Sequence, residues 1–227
     1  MNSAEVLTRI DTLIQSRSIL NHPFYRAWQR GALTREQLAT YARVYYPHVA
    51  AFPAYLENAV GRSEDAIVRD ELAHNLSEEL SEPKPHPELW LDFGEELGLT
   101  REAMADAVPH PAAAGIVDTF KRLTNTTAAT AVAALYAYES QQPEVSRQKM
   151  DGLRSHYGVS SDKALAYFDV HARVDIRHRE GERLALLRCL EGGASIDSVL
   201  QGVDEALNAY WHLLDGVCEE AHIAQSC

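Results

Sequence analysis

Residues 160–190, SSDKALAYFDVHARVDIRHREGERLALLRCL, are the part of the chain that most clearly indicates its fold. It contains no proline, and its single glycine, Gly181, falls late in the stretch. A run of this length without a breaker predicts one long helix, which the Gly192-Gly193 pair then ends. Helical spacing of apolar residues recurs along the chain, and the sustained apolar/polar alternation typical of strands is missing. We therefore predict an all-α fold.

Capping and proline signals divide the rest of the chain into further helices. The sequence Thr-Arg-Glu-Gln that begins at Thr34 is a capping box and predicts a helix start. Pro47 and Pro53 are expected to kink or divide that helix, and Pro143 to interrupt a later one. A proline-rich connector over 81–87 separates two more helices. The pattern is typical of a bundle of about eight or more helices.

Length and charge bound what the protein does. The chain has 227 residues, 46% of them hydrophobic and 24% charged, so we expect one globular domain over 1–227. A formal net charge of −12 repels phosphate backbones and anionic lipids, which argues against nucleic-acid and membrane-surface binding. No Cys-x-x-Cys pair, basic leader or stretch of about 18 apolar residues occurs, so we expect a cytoplasmic protein.

The long predicted helix also carries a candidate metal stripe. His171, Asp175 and His178 are spaced i, i+4 and i+7, so at about 100° per residue their side chains leave the helix within roughly 60° of one another. Two imidazoles and a carboxylate on one face suit a divalent first-row metal. The neighbouring arginines fall on other faces, which favours a stripe turned toward the core over a solvated polar face. Short ligand patterns also recur by chance.

Three residues outside this helix could complete a metal site. Glu139 follows an almost wholly apolar helix, where a buried carboxylate needs a cation or strong donors, and Pro143 should open the helix there. Glu79 and His86 bracket the proline-rich connector, so a turn could bring both to one point. Three carboxylates and three imidazoles would partly balance the charge of about +4 from two divalent ions. Without a thiolate, this set suits iron or manganese better than structural zinc.

A competing arrangement is the ferritin-like di-iron pattern. Glu71-x-x-His74 and Glu219-x-x-His222 both have its Glu-x-x-His spacing. That site needs two more glutamates from other helices, and its second pair would lie near the chain end, where helices fray. No nucleophile elbow, phosphate-binding loop or dinucleotide fingerprint occurs. The ferritin-like pattern is the weaker of the two metal readings.

The motifs taken together resemble a known family. Glu79 followed by HPELW (86–90), YESQQPE (138–144) and HARVDIRH (171–178) have the order found in the haem-oxygenase-like dimetal oxygenases, and the likeness runs from HPFYRAW (22–28) to the last helix. The most similar subgroup is the CADD-like proteins, named for a chlamydial protein associating with death domains, whose members make 4-aminobenzoate for folate. The resemblance implies a TenA/PqqC-like seven-helix bundle that pairs as a homodimer.

The resemblance also implies a metal site and an unusual substrate. It implies two ions, Fe/Fe or Fe/Mn, with dioxygen as co-substrate and an external reductant. The ligands that it implies are Glu79, His86, Glu139, His171, Asp175 and His178. It further implies that Tyr25 is the source of the aromatic ring, that Tyr41 is a second tyrosine near the site and that Lys149 donates the amino group. From the residues alone, Tyr25 is interpreted as a core aromatic and Lys149 as a solvated surface amine.

Three functional hypotheses stay open on the sequence. The first is synthesis of 4-aminobenzoate from the protein's own side chains. The second keeps the metals but acts on an external fatty acid or amino acid, to which a long apolar channel beside the metals would point. The third is a metal-free interaction protein, of which the sequence gives no sign independent of the relative's name.

Overall fold

The regular structure of the chain is helical throughout the part that the computed structural model describes, residues 1–81 and 84–224. Those residues form eleven α-helices and one 3-10 turn, Ile19–Asn21. The α-helices are α1 Ser3–Ser16, α2 Pro23–Gln29, α3 Arg35–Arg62, α4 Ala66–Glu79, α5 His86–Glu96, α6 Arg101–Ala105, α7 Pro111–Thr124, α8 Ala128–Glu139, α9 Gln142–His156, α10 Asp162–Glu191 and α11 Ile196–Glu220. The predicted all-α fold is confirmed. No described helix is both long and apolar enough to traverse a bilayer.

Helix α10 is the long helix that the sequence predicts. Ser161 begins it, since its hydroxyl accepts a hydrogen bond from the backbone N–H of Ala164 at 3.2 Å. It ends at Gly192, and Gly193 follows with a φ of 90°, a conformation that glycine adopts without steric strain. Helices α4, α5, α8 and α9 all pack along α10. Side chains from several helices can therefore meet on one of its faces.

Helix α3 is not divided at Pro47 or Pro53, which corrects that part of the prediction. The capping box at Thr34 is present as predicted, but the helix then continues unbroken through both prolines to Arg62. Each proline removes one backbone hydrogen bond. The helix nevertheless buries a long face that includes Tyr45 and Phe52 against its neighbours. Packing of this face therefore outweighs the two lost bonds.

Two shorter segments set the geometry of the site. The helix after the connector begins at His86, two residues before the expected start, because Pro87 fits the first helical turn and needs no N–H partner there. The predicted interruption near Pro143 is confirmed, since α8 ends at Glu139 and α9 starts at Gln142. Residues 82 and 83 of the connector lie outside the described residues.

Candidate metal centre and lysine pocket

The polar stripe of α10 faces the interior. His171, Asp175 and His178 are all buried, with 6%, 1% and 5% of their surface exposed. Three further buried polar side chains reach them from other helices, Glu79 from the end of α4, His86 from the start of α5 and Glu139 from the end of α8. All six side chains that the sequence singles out therefore lie in one region of the core.

Glu79, His86 and His171 form the tighter half of this cluster, here called the Glu79 group. Their ligand atoms all lie within 4.8 Å of one another. Glu79 Oε1 is 2.9 Å from His86 Nδ1 and 3.7 Å from His171 Nε2. The other ring nitrogen of His171, Nδ1, lies 2.7 Å from the carbonyl of Tyr167, to which it donates as an N–H. That bond leaves Nε2 free to bind a metal.

Glu139, Asp175 and His178 form the other half, here called the Glu139 group. His178 Nδ1 lies 3.2 Å from Asp175 Oδ1 and 3.9 Å from Glu139 Oε2. The outer nitrogen of His178, Nε2, is 2.6 Å from Glu78 Oε2. An N–H donated to Glu78 fixes the ring with Nδ1 facing inward, the orientation typical of metal-binding histidines.

Asn75 holds the carboxylate of Glu139 from the opposite side. Its amide Nδ2 donates a hydrogen bond of 2.8 Å to Glu139 Oε2. Asn75 lies one helical turn before Glu79 on α4, so the same helix orients one carboxylate of each group. The sequence patterns did not single out Asn75 or Glu78. Asn75 lies one helical turn before Glu79, and Glu78 is the residue directly before Glu79.

The charges of the cluster stabilise one another. Burial disfavours the charged form of His171, but Asp175 and Glu79 outweigh burial and raise its pKa to about 9. Burial likewise opposes charge on His178, yet Asp175 and Glu139 raise its pKa to about 10. For Glu139 burial dominates and raises the pKa to about 7. The cluster thus attracts positive charge, which a divalent ion also supplies.

The donor set fits a divalent metal. Among the described residues, Asp175 Oδ2 is a buried atom without a hydrogen-bond partner. His86 Nδ1 and His178 Nδ1 are also buried and form no hydrogen bond, although each lies within 3.2 Å of a carboxylate oxygen. Buried polar atoms need partners, and a metal bound by nitrogen and oxygen would supply one to each. The set contains no thiolate and suits iron or manganese.

The ferritin-like alternative lacks a comparable cluster. His74, Glu219 and His222 are exposed. In residues 1–81 and 84–224 the Glu79 group is the one set of three that meets the distance for a shared metal. Neither Glu-x-x-His pair belongs to such a set, and His222 lies beyond the end of α11.

Lys149 lies in a second buried site, the lysine pocket, and is not a surface amine. It is 1% exposed, although the side chain carries an amine. The Nζ atom lies 5.3–5.8 Å from the centres of five aromatic rings. These rings belong to Tyr25, Tyr41, Tyr45, Trp90 and Phe168. The interpretation of Lys149 as solvated is wrong because α2, α3, α5 and α10 all close over the side chain from α9.

The lysine pocket favours a neutral amine. Burial lowers the pKa of Lys149 to about 7, and no carboxylate of the described residues lies within ion-pair distance of Nζ. Tyr25 is fully buried beside it, as expected of a core aromatic, and its hydroxyl lies 3.4 Å from that of Tyr41. The pocket therefore holds the amine nitrogen of Lys149 5.4 Å and 5.5 Å from the centres of two phenol rings.

Aromatic side chains connect the lysine pocket to the metal cluster. Tyr45 contacts Lys149 and shares a 2.8 Å hydrogen bond between its hydroxyl and that of Tyr138, the residue before Glu139. On the other side, Trp90 packs against Tyr167 at a ring distance of 4.8 Å, and Tyr167 stacks on His171 at 4.1 Å. Contacting aromatic rings therefore link the lysine pocket to the metal cluster.

The space beside the metal cluster is small. Two cavities border it, and each has a volume of about 10 Å³, close to the minimum that holds one water molecule. The first is lined by Val49, Phe52, Tyr138 and Tyr167 together with ligand side chains. Clefts of about 420 Å³ occur elsewhere on the molecule and touch none of the six candidate ligands. The space at the cluster therefore suits a molecule of about the size of one water.

The chain is similar in sequence to known redox enzymes. Residues 39–211 match the model of a family described as iron-containing redox enzymes. The chain is 39% identical to a 4-aminobenzoate synthase of Chlamydia muridarum, covering 96% of this chain and 92% of the relative. It is 36% identical to a 4-aminobenzoate synthase of Nitrosomonas europaea, over 93% and 90%. The chain belongs to the iron-containing redox enzyme family. It is therefore a redox enzyme with a metal cofactor.

Solved structures agree on the fold. A domain with a haem-oxygenase-like fold from Shewanella denitrificans superimposes with a TM-score of 0.79 at 18% sequence identity. The match covers 100% of this chain and 96% of that structure. The expected haem-oxygenase-like architecture is confirmed for this family member.

Proposed function

We propose that this enzyme is a dimetal oxygenase that makes 4-aminobenzoate, with Tyr25 as the ring source and Lys149 as the amino donor. The observation that carries the proposal is the buried Nζ of Lys149, 5.4 Å from the centre of the Tyr25 ring and 5.5 Å from that of Tyr41. A buried, unpaired lysine is unfavourable for stability. A chemical role explains its presence, and the activity named for the two relatives above requires an amine and a benzene ring.

The bonds that must change follow from the product. 4-Aminobenzoate keeps one carbon on the ring opposite the nitrogen, and in a tyrosine side chain that carbon is Cβ. Release from Tyr25 therefore breaks the bond between Cα and Cβ, with Cβ oxidised to the carboxylate. The nitrogen of Lys149 replaces the phenol oxygen, which leaves as water, and the bond from that nitrogen to Cε breaks with Cε oxidised to an aldehyde. The Cα atom that loses Cβ takes a hydrogen, so a glycine remains in place of Tyr25. Two molecules of dioxygen, with two electrons from the external reductant and two protons, supply the oxidation and give two molecules of water. Because both sources are covalent parts of the chain, each polypeptide reacts once.

The metal pair supplies the oxidising power in this proposal. The Glu79 group would hold one divalent ion and the Glu139 group a second, as Fe/Fe or Fe/Mn, and when bound the pair activates dioxygen with electrons from an external reductant. The side chains of the chain orient this site. Glu78 and the Tyr167 carbonyl fix His178 and His171, and Asn75 fixes Glu139.

The lysine pocket positions the reacting side chains and excludes water. The Tyr41 hydroxyl lies 3.4 Å from that of Tyr25 and can take or return the phenol proton. Burial keeps a large share of Lys149 neutral near pH 7, since its pKa is about 7. A neutral amine has the lone pair that carbon–nitrogen bond formation needs.

The size of the metal-side cavities supports an internal substrate over an external one. A fatty acid or amino acid needs a cavity of roughly 300 Å³ or more, whereas the two cavities at the cluster measure about 10 Å³ each. An external substrate would require the apolar residues around Val49 and Phe52 to move apart.

Mass spectrometry of the intact chain tests the proposal. The metal-free protein is loaded with iron and manganese and exposed to air and a reductant. We expect a mass loss that maps to Tyr25 and Lys149 and appears with the product. Tyr25→Phe protein should keep its mass. Product formed from an unchanged chain would contradict the proposal and favour an external substrate.

A further inference from the structure

A fourth buried carboxylate, Glu182, lies on the same face of α10 as the predicted ligands. It follows His171 by eleven residues, which at about 100° per residue places it roughly 20° from His171 around the helix. It is one turn beyond His178 and is 3% exposed. The stripe on α10 therefore continues as His171, Asp175, His178 and Glu182.

The carboxylate of Glu182 has no protein donor. Both of its oxygens are buried and lack a hydrogen-bond partner among the described residues. The charged group that acts on it most strongly is Glu139, another buried carboxylate. Two buried carboxylates side by side repel each other and are stable only with a proton or a cation between them.

The cationic side chains nearby are engaged elsewhere. Arg177 on the same helix is half-exposed and contacts His74 and Glu78. Arg183, the next residue after Glu182, pairs with Asp11 of α1 at 3.1 Å. None of these arginines forms an ion pair with Glu182 in residues 1–81 and 84–224.

Helix α4 covers Glu182 without neutralising it. The small cavity beside it is lined from α4 by Glu71, Leu72, His74 and Asn75. The amide of Asn75 donates to Glu139, and its oxygen Oδ1 has no partner. Thus two acceptor groups, Glu182 and Asn75 Oδ1, are buried beside one cavity of about 10 Å³. This is the environment of a cation site.

We propose that Glu182 is a further ligand of the second divalent ion, the one assigned to the Glu139 group. This inference rests on the proposed metal pair and adds a residue to it. With Glu182 the cluster has four carboxylates, Glu79, Glu139, Asp175 and Glu182, and their charge of −4 equals the +4 of two divalent ions.

The extra ligand also makes the two metal positions chemically different. The Glu79 group offers two imidazoles and one carboxylate. The Glu139 group together with Glu182 offers one imidazole and three carboxylates. Since carboxylate oxygens suit manganese and imidazoles suit iron, the oxygen-rich position is the one that favours manganese.

A titration with Mn²⁺ alone tests the assignment. Metal-free protein is titrated without oxygen, and the electron paramagnetic resonance signal of free Mn²⁺ measures binding. The wild type is expected to bind two ions. Glu182→Gln should bind one as before and the other about tenfold or more weakly, the effect typical of losing a metal-site contact. Glu180→Gln is the matched control, because Glu180 is exposed on the same helix, and it should behave as the wild type.

Thermal unfolding shows whether Glu182 is a metal ligand or only a buried, protonated glutamate. Because glutamine is uncharged and of similar size, the metal-free Glu182→Gln protein should unfold at the wild-type temperature or above it, while the further rise caused by Mn²⁺ becomes smaller than in the wild type. Glu182→Asp keeps the charge on a shorter stem and should also bind the second ion more weakly, so it serves if the Gln variant does not fold.

The outcomes distinguish this inference from the proposed function. If the wild type binds two ions and Glu182→Gln binds both with unchanged affinity, the assignment of Glu182 is wrong and the metal pair stands. If the wild type binds fewer than two ions, the metal pair itself is wrong, and Glu182 falls with it.

Discussion

The metal cluster and the lysine pocket are both buried, yet they treat charge in opposite ways. In the metal cluster, carboxylates raise the pKa of His171 to about 9 and that of His178 to about 10 against burial. In the lysine pocket, only rings surround Lys149, and burial lowers its pKa to about 7. Burial alone therefore does not decide the charge of a side chain. The neighbouring side chains decide it. Carboxylates favour the charged form of the two histidines in the metal cluster, whereas the aromatic rings around Lys149 leave its amine largely neutral.

The largest effect is expected from removing a ligand of the Glu79 group. His171→Ala deletes an imidazole that lies 3.7 Å from Glu79 and leaves that carboxylate buried with one partner fewer. We expect metal affinity at this position to fall by about a hundredfold and 4-aminobenzoate to fall to background. Elemental analysis and product chromatography measure the two. His212→Ala, on an exposed surface, is the control, and full metal content in His171→Ala would contradict the ligand assignment.

Replacing Tyr25 should abolish product formation in the lysine pocket without affecting metal binding in the metal cluster. Tyr25→Phe keeps the aromatic packing but lacks the phenol, so product should fall to background while both metal ions remain bound. Tyr55→Phe removes a buried hydroxyl far along α3, 3.4 Å from His48 Nδ1, and is the matched control. The product yield and the metal content are compared in the same preparations. Wild-type yield from Tyr25→Phe would show that the ring comes from elsewhere.

Lys149 should lower stability at the same time as it serves the reaction. The pKa of Lys149 is about 7 in the folded chain and 10.5 in the unfolded chain. Near and below pH 7 this difference lowers the free energy of unfolding by on the order of 4 kcal/mol, because the unfolded chain binds the proton more tightly. Lys149→Met should therefore unfold at higher denaturant and make no product. Because the unfolded wild type binds the extra proton between pH 7 and about 10.5, wild-type stability rises with pH in that window.

Two comparisons check the lysine prediction. The stability difference between Lys149→Met and the wild type should shrink from pH 7 to pH 10, as measured by chemical denaturation. Lys121→Met changes an exposed lysine and should show neither effect. A constant difference across this range would mean that Lys149 stays charged in the fold.

The smallest effect is expected from a residue that only positions a ligand. Glu78→Gln keeps an oxygen that can accept from His178 Nε2 but removes the charge behind the bond of 2.6 Å. Metal affinity at the Glu139 group should fall by about tenfold, and the lysine pocket should be unaffected. Glu57→Gln, exposed on α3, is the control. An effect as large as that of His171→Ala would make Glu78 itself a ligand.

The sequence predicts the metal cluster better than the lysine pocket, for a physical reason. His171, Asp175 and His178 share one helix, so their common face follows from spacing alone. Glu182 continues that spacing and could have been found by extending the stripe by one turn. Glu79 and His86 required a guess about the connector, because the start of α5 at His86 depends on how Pro87 fits the first turn.

The burial of Lys149 could not be read from local sequence. Five elements, α2, α3, α5, α9 and α10, each contribute a side chain to the pocket, and their meeting is a property of tertiary packing. The continuity of α3 through Pro47 and Pro53 has the same origin. Local signals predict helices and helix faces, whereas contacts between helices decide which polar side chains are buried without a partner.

Isotope labelling can follow the ring of Tyr25 and the side-chain nitrogen of Lys149 into the product. Protein is produced with isotopically labelled tyrosine rings and lysine side-chain nitrogen, loaded with metal and reacted with air and reductant in unlabelled buffer. We expect the released 4-aminobenzoate to carry both labels, at no more than one molecule per chain. Unlabelled 4-aminobenzoate, or several molecules per chain from an added compound, would contradict the proposed function.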